Sequence, residues 1–203
     1  MRTLLAATIL AISAGTAHAD VRLPAIFGNH MVLQQKVEAP IWGWADPGES
    51  ITITPSWAGA KPITLAAGPS GRWQANLPTP AASGPFTITI AGKNRITLDD
   101  VLIGEVWLCS GQSNMEWRVS QAMNANEEAA RATDTQIRFF TVTNRYALSP
   151  EAQVDGEWTV CSPDAARNFS AVGYFFGREI KKRLNVPVGL VSADWGGTPA
   201  EAW

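Results

Sequence analysis

The hydrophobic period of the chain changes near Asp99, and that change constrains the fold more than any other feature. Before it, short β-type runs at 39–44, 50–55, 62–66, 72–77, 86–91 and 95–98 alternate with turn signals. The turns are Asp46-Pro47-Gly48, Gly68-Pro69-Ser70-Gly71, Ser83-Gly84-Pro85 and Gly92-Lys93-Asn94. In two of the runs Thr52, Thr54, Thr87 and Thr89 alternate with Ile51, Ile53, Ile88 and Ile90, so one face is apolar and the other meets water. This pattern predicts an antiparallel β-sandwich-like region over residues 20–99.

After Asp99 the pattern is strand, helix, strand, helix, strand. Residues 101–108 and 137–142 are near-continuous apolar or β-branched runs, which suit parallel strands covered on both faces. Residues 122–132 predict one helix and 170–184 a clearer one, in which Val172, Phe175, Phe176, Ile180 and Leu184 recur at helical spacing. Lys181, Lys182 and Arg183 crowd its last turn, where a helix C-terminus favours cations. A further strand at 188–193 leads into Asp194-Trp195-Gly196-Gly197-Thr198. Residues 100–203 therefore read as the first part of an α/β domain whose sheet has an open edge, truncated on its C-terminal side.

Residues 1–19 have the form of a secretory signal: Arg2, an apolar run over 4–12, and Ala17-His18-Ala19 before a cleavage point at Asp20. The expected location is periplasmic or secreted, and the apolar run is too short to span a bilayer, so no membrane association is expected after cleavage. The 16 Lys and Arg and 18 Asp and Glu leave a formal net charge of −2 with no basic block, which argues against nucleic acid or anionic lipid as a partner. Cys109 and Cys161 are compatible with one disulfide or with two buried thiols. No residue cluster has metal-ligand spacing and no glycine loop would cradle a phosphate, so no metal or cofactor is expected.

The chemistry concentrates where the first parallel strand ends, at Cys109-Ser110-Gly111-Gln112-Ser113-Asn114-Met115-Glu116-Trp117. A serine just beyond the C-terminal edge of a parallel strand stands where α/β folds place ligands, and Gly111 permits the tight turn that presents it. As a nucleophile it needs a base to take its proton and N–H donors to hold the oxyanion formed on a carbonyl. Gly196 and Gly197, at another strand end, carry no Cβ and are candidate donors. His30, the one histidine left after signal removal, lies in the first region and reads as structural; Asp194 reads as a turn residue, since an ordinary carboxylate is a poor base for a hydroxyl. Trp42, Trp44, Trp57 and Trp73 read as core more than as sugar-stacking residues.

The whole string Trp107 to Trp117 closely resembles the nucleophile block of the sialate O-acetylesterase family, a branch of the SGNH hydrolases. The resemblance continues through Leu23-Pro24 with Met31-Val32-Leu33-Gln34, through Trp42-Gly43-Trp44-Ala45-Asp46-Pro47-Gly48-Glu49, through Phe169-Ser170-Ala171-Val172-Gly173-Tyr174-Phe175-Phe176-Gly177-Arg178, and through Trp195-Gly196-Gly197-Thr198-Pro199-Ala200-Glu201-Ala202-Trp203. It implies a flavodoxin-like SGNH hydrolase core, incomplete here, after the sandwich-like region, and removal of O-acetyl groups from sialic acid or another sugar. It implies Ser113 as nucleophile, with its own N–H and that of Gly197 or Gly196 in the oxyanion hole. Gln112, Asn114, Trp195 and Glu201 are the neighbouring candidates for contact with an O-acetylated glycan. The family's third block and its Asp-x-x-His block have no counterpart in these residues, so the chain by itself is expected to turn over little ester. The alternatives are an acetylxylan or other polysaccharide acetyl esterase, and a non-catalytic carbohydrate-binding module.

Overall fold

The computed structural model describes residues 20–199 and 201; the signal-peptide expectation on 1–19 lies outside the described residues. Ten strands and four helices follow in order: β1 (Val32–Gln34), β2 (Glu38–Trp44), β3 (Ser50–Pro55), β4 (Ile63–Ala66), β5 (Arg72–Pro78), β6 (Ser83–Ala91), β7 (Arg95–Gly111), α1 (Ser113–Glu116), α2 (Ala125–Ala130), β8 (Ile137–Thr141), β9 (Trp158–Val160), α3 (Pro163–Asn168), α4 (Ala171–Leu184) and β10 (Val188–Asp194). Eight strands form one sheet in the order β4-β3-β6-β7-β10-β8-β9, with β1 beside β7, while β2 and β5 pair separately.

The threonine–isoleucine alternation sets the first region. Ile51, Ile53, Ile88 and Ile90 are wholly buried, and they share a core with Ile41 and Trp73 of the β2–β5 pair. On the opposite face Thr52 and Thr64 meet through their hydroxyls at 3.0 Å. Trp57 and Trp73 are buried in this core, Trp73 from an inward position of β5 and Trp57 from the turn after β3.

The second region holds three parallel strands, with β10 pairing with β7 on one side and β8 on the other. The runs 95–98 and 101–108, expected as two strands either side of a boundary at 99, are one strand of seventeen residues. It can be continuous because its partners change along it: β6 pairs antiparallel as far as Ile103, β1 parallel at 102–104, and β10 parallel from Glu105 to Gly111. Its end is not covered on both faces, for Trp107 is 40% and Leu108 68% exposed. Among the described residues, β10 is the strand paired with 105–111.

The register of β10 against β7 is set at Gly104. The Glu105 N–H donates to the Pro187 carbonyl at 2.9 Å, and a Cβ on Gly104 would collide with that same carbonyl oxygen. With Pro187 seated there, Val188 falls opposite Glu105 and Asp194 opposite Gly111. On one face α4 packs over β10, and a Cβ on Gly177 would meet the Leu190 side chain. Ser170 caps α4 by accepting the Gly173 N–H, and Asn185 ends it in the left-handed region.

Before the parallel part of β7 begins, Asp100 and His30 both adopt left-handed backbone angles, φ 56 and 67. Asp100 accepts from the buried Arg138 at 2.7 Å on Oδ2 and 3.2 Å on Oδ1, and His30 Nδ1 lies 2.7 Å from the same Oδ2. This brace ties the N-terminal segment and β8 to the start of the parallel ladder. The Arg138 hydrogen bonds lower the Asp100 pKa, against desolvation that raises it, and His30 adds to the lowering. Cys109 and Cys161 are both free and buried, and burial pushes each thiol up to about 11. No helix among the described residues is long and apolar enough to cross a membrane.

Two stability measurements follow from this packing. Gly104→Ala is expected to cost about 1–3 kcal/mol, because backbone must move to admit the methyl group. Gly28→Ala, whose Cβ finds its nearest atom at an ordinary 3.7 Å, is expected to cost almost nothing; urea unfolding of the two variants compares them directly. Asp100→Asn keeps a residue tolerant of left-handed backbone but removes the charge. With the Asp100 side chain 33% exposed, the cost near neutral pH is expected to be about 1–2 kcal/mol, the low end of the charged hydrogen-bond range. A folded-state pKa below the unfolded value stabilises above the ordinary carboxylate range, and that gain is lost as pH falls through the lowered pKa. The gap between wild type and variant in urea titrations is therefore expected to close below about pH 4.

Candidate active site

β7 leaves the sheet at Gly111, whose φ of 147 favours glycine, and the chain passes through Gln112 into the single turn of α1. Ser113 opens that turn with its side chain exposed. Its hydroxyl donates to Gln112 Oε1 at 2.9 Å, so Gln112 touches the serine directly. Asn114 lies exposed beside it.

The register of β10 delivers the second element. With Asp194 opposite Gly111, the Trp195 N–H donates to the Gly111 carbonyl at 3.0 Å, and the next residue, Gly196, arrives against α1. The Gly196 N–H donates to Glu116 Oε2 at 2.8 Å. A Cβ on Gly196 would collide with that carboxylate and would stand 3.7 Å from Ser113 Cα. Gly197 is glycine for a different reason: its φ is 79, with open space where a side chain would point. Of the two glycines singled out as oxyanion donors, Gly196 has its N–H engaged by Glu116. Thr198 closes the turn, its hydroxyl donating to the Trp195 carbonyl at 2.6 Å. Trp195 is half-buried at the base of this turn, and Glu201 is exposed beyond it.

Beside α1 a polar cavity of about 320 Å³ opens over the ends of β8 and β10, lined among others by Glu116, Arg118, Asn144, Asn168, Ser170 and Asp194. Asp194 accepts from the Ser192 hydroxyl. Burial raises its pKa above the usual carboxylate range; the Ser192 bond opposes this and the nearby Glu116 charge adds to it. A larger cavity, about 620 Å³, lies between Arg22, Trp44 and the segment around Arg145 and Asp155, away from the serine turn.

Of the residues the sequence singles out, the structure brings Gly196 beside Ser113, with Gly197 next in the same turn and open space where its side chain would point. Sequence reasoning missed the role of Glu116. The three-residue spacing from Ser113, which puts both on one side of a helical turn, was the available signal. Arg118, Asn144 and Asn168 come from three separate segments and carried none. His30 pairs with Asp100 of β7, eleven residues before Gly111. That partner engages the brace to Arg138, and no contact joins His30 to the serine turn among the described residues. Among the described residues no group of three or more His, Cys, Asp or Glu is arranged to hold a metal ion.

Comparison with known proteins agrees with this geometry. Residues 103–203, which contain both the serine turn and the glycine turn, match the family model of carbohydrate esterases described as sialic acid-specific acetylesterase. Sialate O-acetylesterases are similar over most of the chain: the Rattus norvegicus protein is 37% identical over 90% of the chain, and the Homo sapiens protein 34% identical over 90%. A crystal structure of a carbohydrate acetylesterase from Xanthomonas citri superposes with a TM-score of 0.86 at 38% identity, covering 90% of this chain. The chain spans 37–38% of those two curated relatives and 42% of the Xanthomonas chain. With a mixed, sheet-dominated α/β fold like that acetylesterase and a match that takes in both turns, the chain belongs, through residues 103–203, to the sialic acid-specific acetylesterase family of carbohydrate esterases.

Proposed function

We propose that the protein is an exported carbohydrate esterase that removes O-acetyl groups from sialic acid, with Ser113 as its nucleophile. The observation that carries this reading is the juxtaposition of an exposed Ser113 after β7 with the Gly196-Gly197 turn after β10. In this reading the Ser113 Oγ attacks the acetyl carbonyl carbon while a base takes the hydroxyl proton. The carbonyl oxygen becomes an oxyanion held by the N–H groups of Ser113 and Gly197. Collapse expels the sugar hydroxyl, and water then frees the acetyl group from the serine. Gly197 is preferred over Gly196 because the Gly196 N–H already serves Glu116. Gln112 orients the serine hydroxyl in the resting state. Asn114, Trp195 and Glu201 remain the neighbouring candidates for contact with the sugar.

The proton acceptor that the reaction needs is not among the described residues near Ser113, so the reading assigns these residues the nucleophile and the oxyanion donors only. In fold terms it treats 100–203 as part of a flavodoxin-like SGNH core and 20–99 as a β-sandwich-like region. The parallel β7-β10-β8 ladder and the shared core of β3, β6, β2 and β5 support those two parts. The polar cavity lined by Glu116 and Arg118, on the far side of the serine turn's last residue, offers a sugar a place to sit.

The test is labelling of the intact native protein with a fluorophosphonate probe, read by peptide mass spectrometry, together with acetate release from an O-acetylated sialic acid. Label is expected on Ser113 and absent from Ser110, which shares the approach to the turn. Ser113→Ala is expected to lower acetate release by about 10³-fold or more while the fold survives, since an exposed turn serine costs little to remove. Label on Ser110, or near-normal activity without Ser113, rejects the assignment; a protein that binds the sugar yet neither labels nor releases acetate is a binding module.

A further inference from the structure

We propose that Glu116 is the positioning residue of the oxyanion site: by accepting the Gly196 N–H it sets where the Gly197 N–H points relative to Ser113. This inference rests on the serine-esterase reading above.

Glu116 ends the helical turn that Ser113 begins, three residues away and on the same side. Its own N–H donates to the Gln112 carbonyl at 3.0 Å, and the Trp117 N–H to the Ser113 carbonyl at 3.0 Å, so carboxylate and serine belong to one hydrogen-bonded unit. From there Oε2 reaches Gly196, eighty positions on, at 2.8 Å. Two further ties hold the glycine turn elsewhere: the Trp195 N–H ends the β ladder on Gly111, and Thr198 bonds back to Trp195. The Glu116 bond joins the turn to the serine helix directly.

Two observations distinguish this role from a chance surface contact. A Cβ on Gly196 would push the Glu116 carboxylate from its present place, so the glycine lets that carboxylate come up to the turn. The carboxylate also stands beside the place where negative charge develops in the reaction. Its charge opposes the oxyanion, so electrostatics alone would disfavour a glutamate at this position. What it supplies is geometry. A donor displaced by about 1 Å can cost about 10²-fold in rate.

The experiment measures kcat and KM for acetyl-ester hydrolysis, and the rate of fluorophosphonate labelling, in the intact protein and its Glu116→Ala and Glu116→Gln variants. Glu116→Ala is expected to lower kcat and the labelling rate by about 10–100-fold with KM changed less than about threefold. Glu116→Gln keeps an acceptor oxygen and removes the opposing charge, so it is expected to recover kcat to within about threefold of wild type or above it. A thermal melt of each variant shows whether a loss of rate is a loss of fold. Should the alanine variant not fold, the glutamine variant still decides, because a folded glutamine variant as slow as a residue lacking the acceptor overturns the positioning role. Equal losses in both variants, or no loss in the alanine variant, overturn it too. If wild type itself shows no label on Ser113, the esterase reading fails first, whereas normal Ser113 labelling that is indifferent to Glu116 overturns this inference alone.

Discussion

The close approach of the Pro187 carbonyl to Gly104 is the contact on which the site depends. It starts the parallel ladder between β7 and β10, and seven residue pairs later that ladder places Asp194 opposite Gly111. A slip of one residue would turn every side chain of β10 to the other face of the sheet. It would also carry the glycine turn away from α1. The position of the glycine turn at one end of the strand is thus fixed by a backbone contact at its middle, with the Asp100–Arg138–His30 brace four residues before that contact.

Much of this was legible from residues. The alternation of Thr52 and Thr54 with Ile51 and Ile53 marked both the strand and its buried face, because period two is a property of the pleat. The helix ending in Lys181, Lys182 and Arg183 was legible from its apolar spacing, but not its buried face: Val172, Phe176 and Leu184 of that series are exposed, and Ala171, Gly173, Tyr174 and Gly177 are its buried residues. The continuity of β7 was not legible. A reading based on local period divides 95–98 from 101–108 at Asp99-Asp100, whereas the structure carries Asp100 through with a left-handed φ and meets its charge with Arg138 from β8. That partner is 38 residues away, beyond the reach of local patterning. The short β9 was missed for want of length, and α3 although Ser162-Pro163 is a helix-start signal, with Ser162 accepting the Ala165 N–H at 3.2 Å.

At the site, the residues that carry a motif were legible and those that shape it were not. Ser113 and the Gly196-Gly197 pair stand in recognisable strings at the ends of strands. Why there are two glycines became clear only from the structure: one is needed for the approach of Glu116, the other for its backbone angle. Arg118, Asn144 and Asn168 converge on the adjoining cavity from three segments.

With Ser113 as the proposed nucleophile, the register of β10 leaves Gly197, and not Gly196, to meet the oxyanion formed there. A crystal structure of the phosphonate adduct tests this proposal most directly. The phosphoryl oxygen is expected about 2.7–3.1 Å from the Ser113 and Gly197 amide nitrogens, with the Gly196 N–H still on Glu116. A phosphoryl oxygen bound to the Gly196 N–H, with Glu116 displaced, would contradict the account.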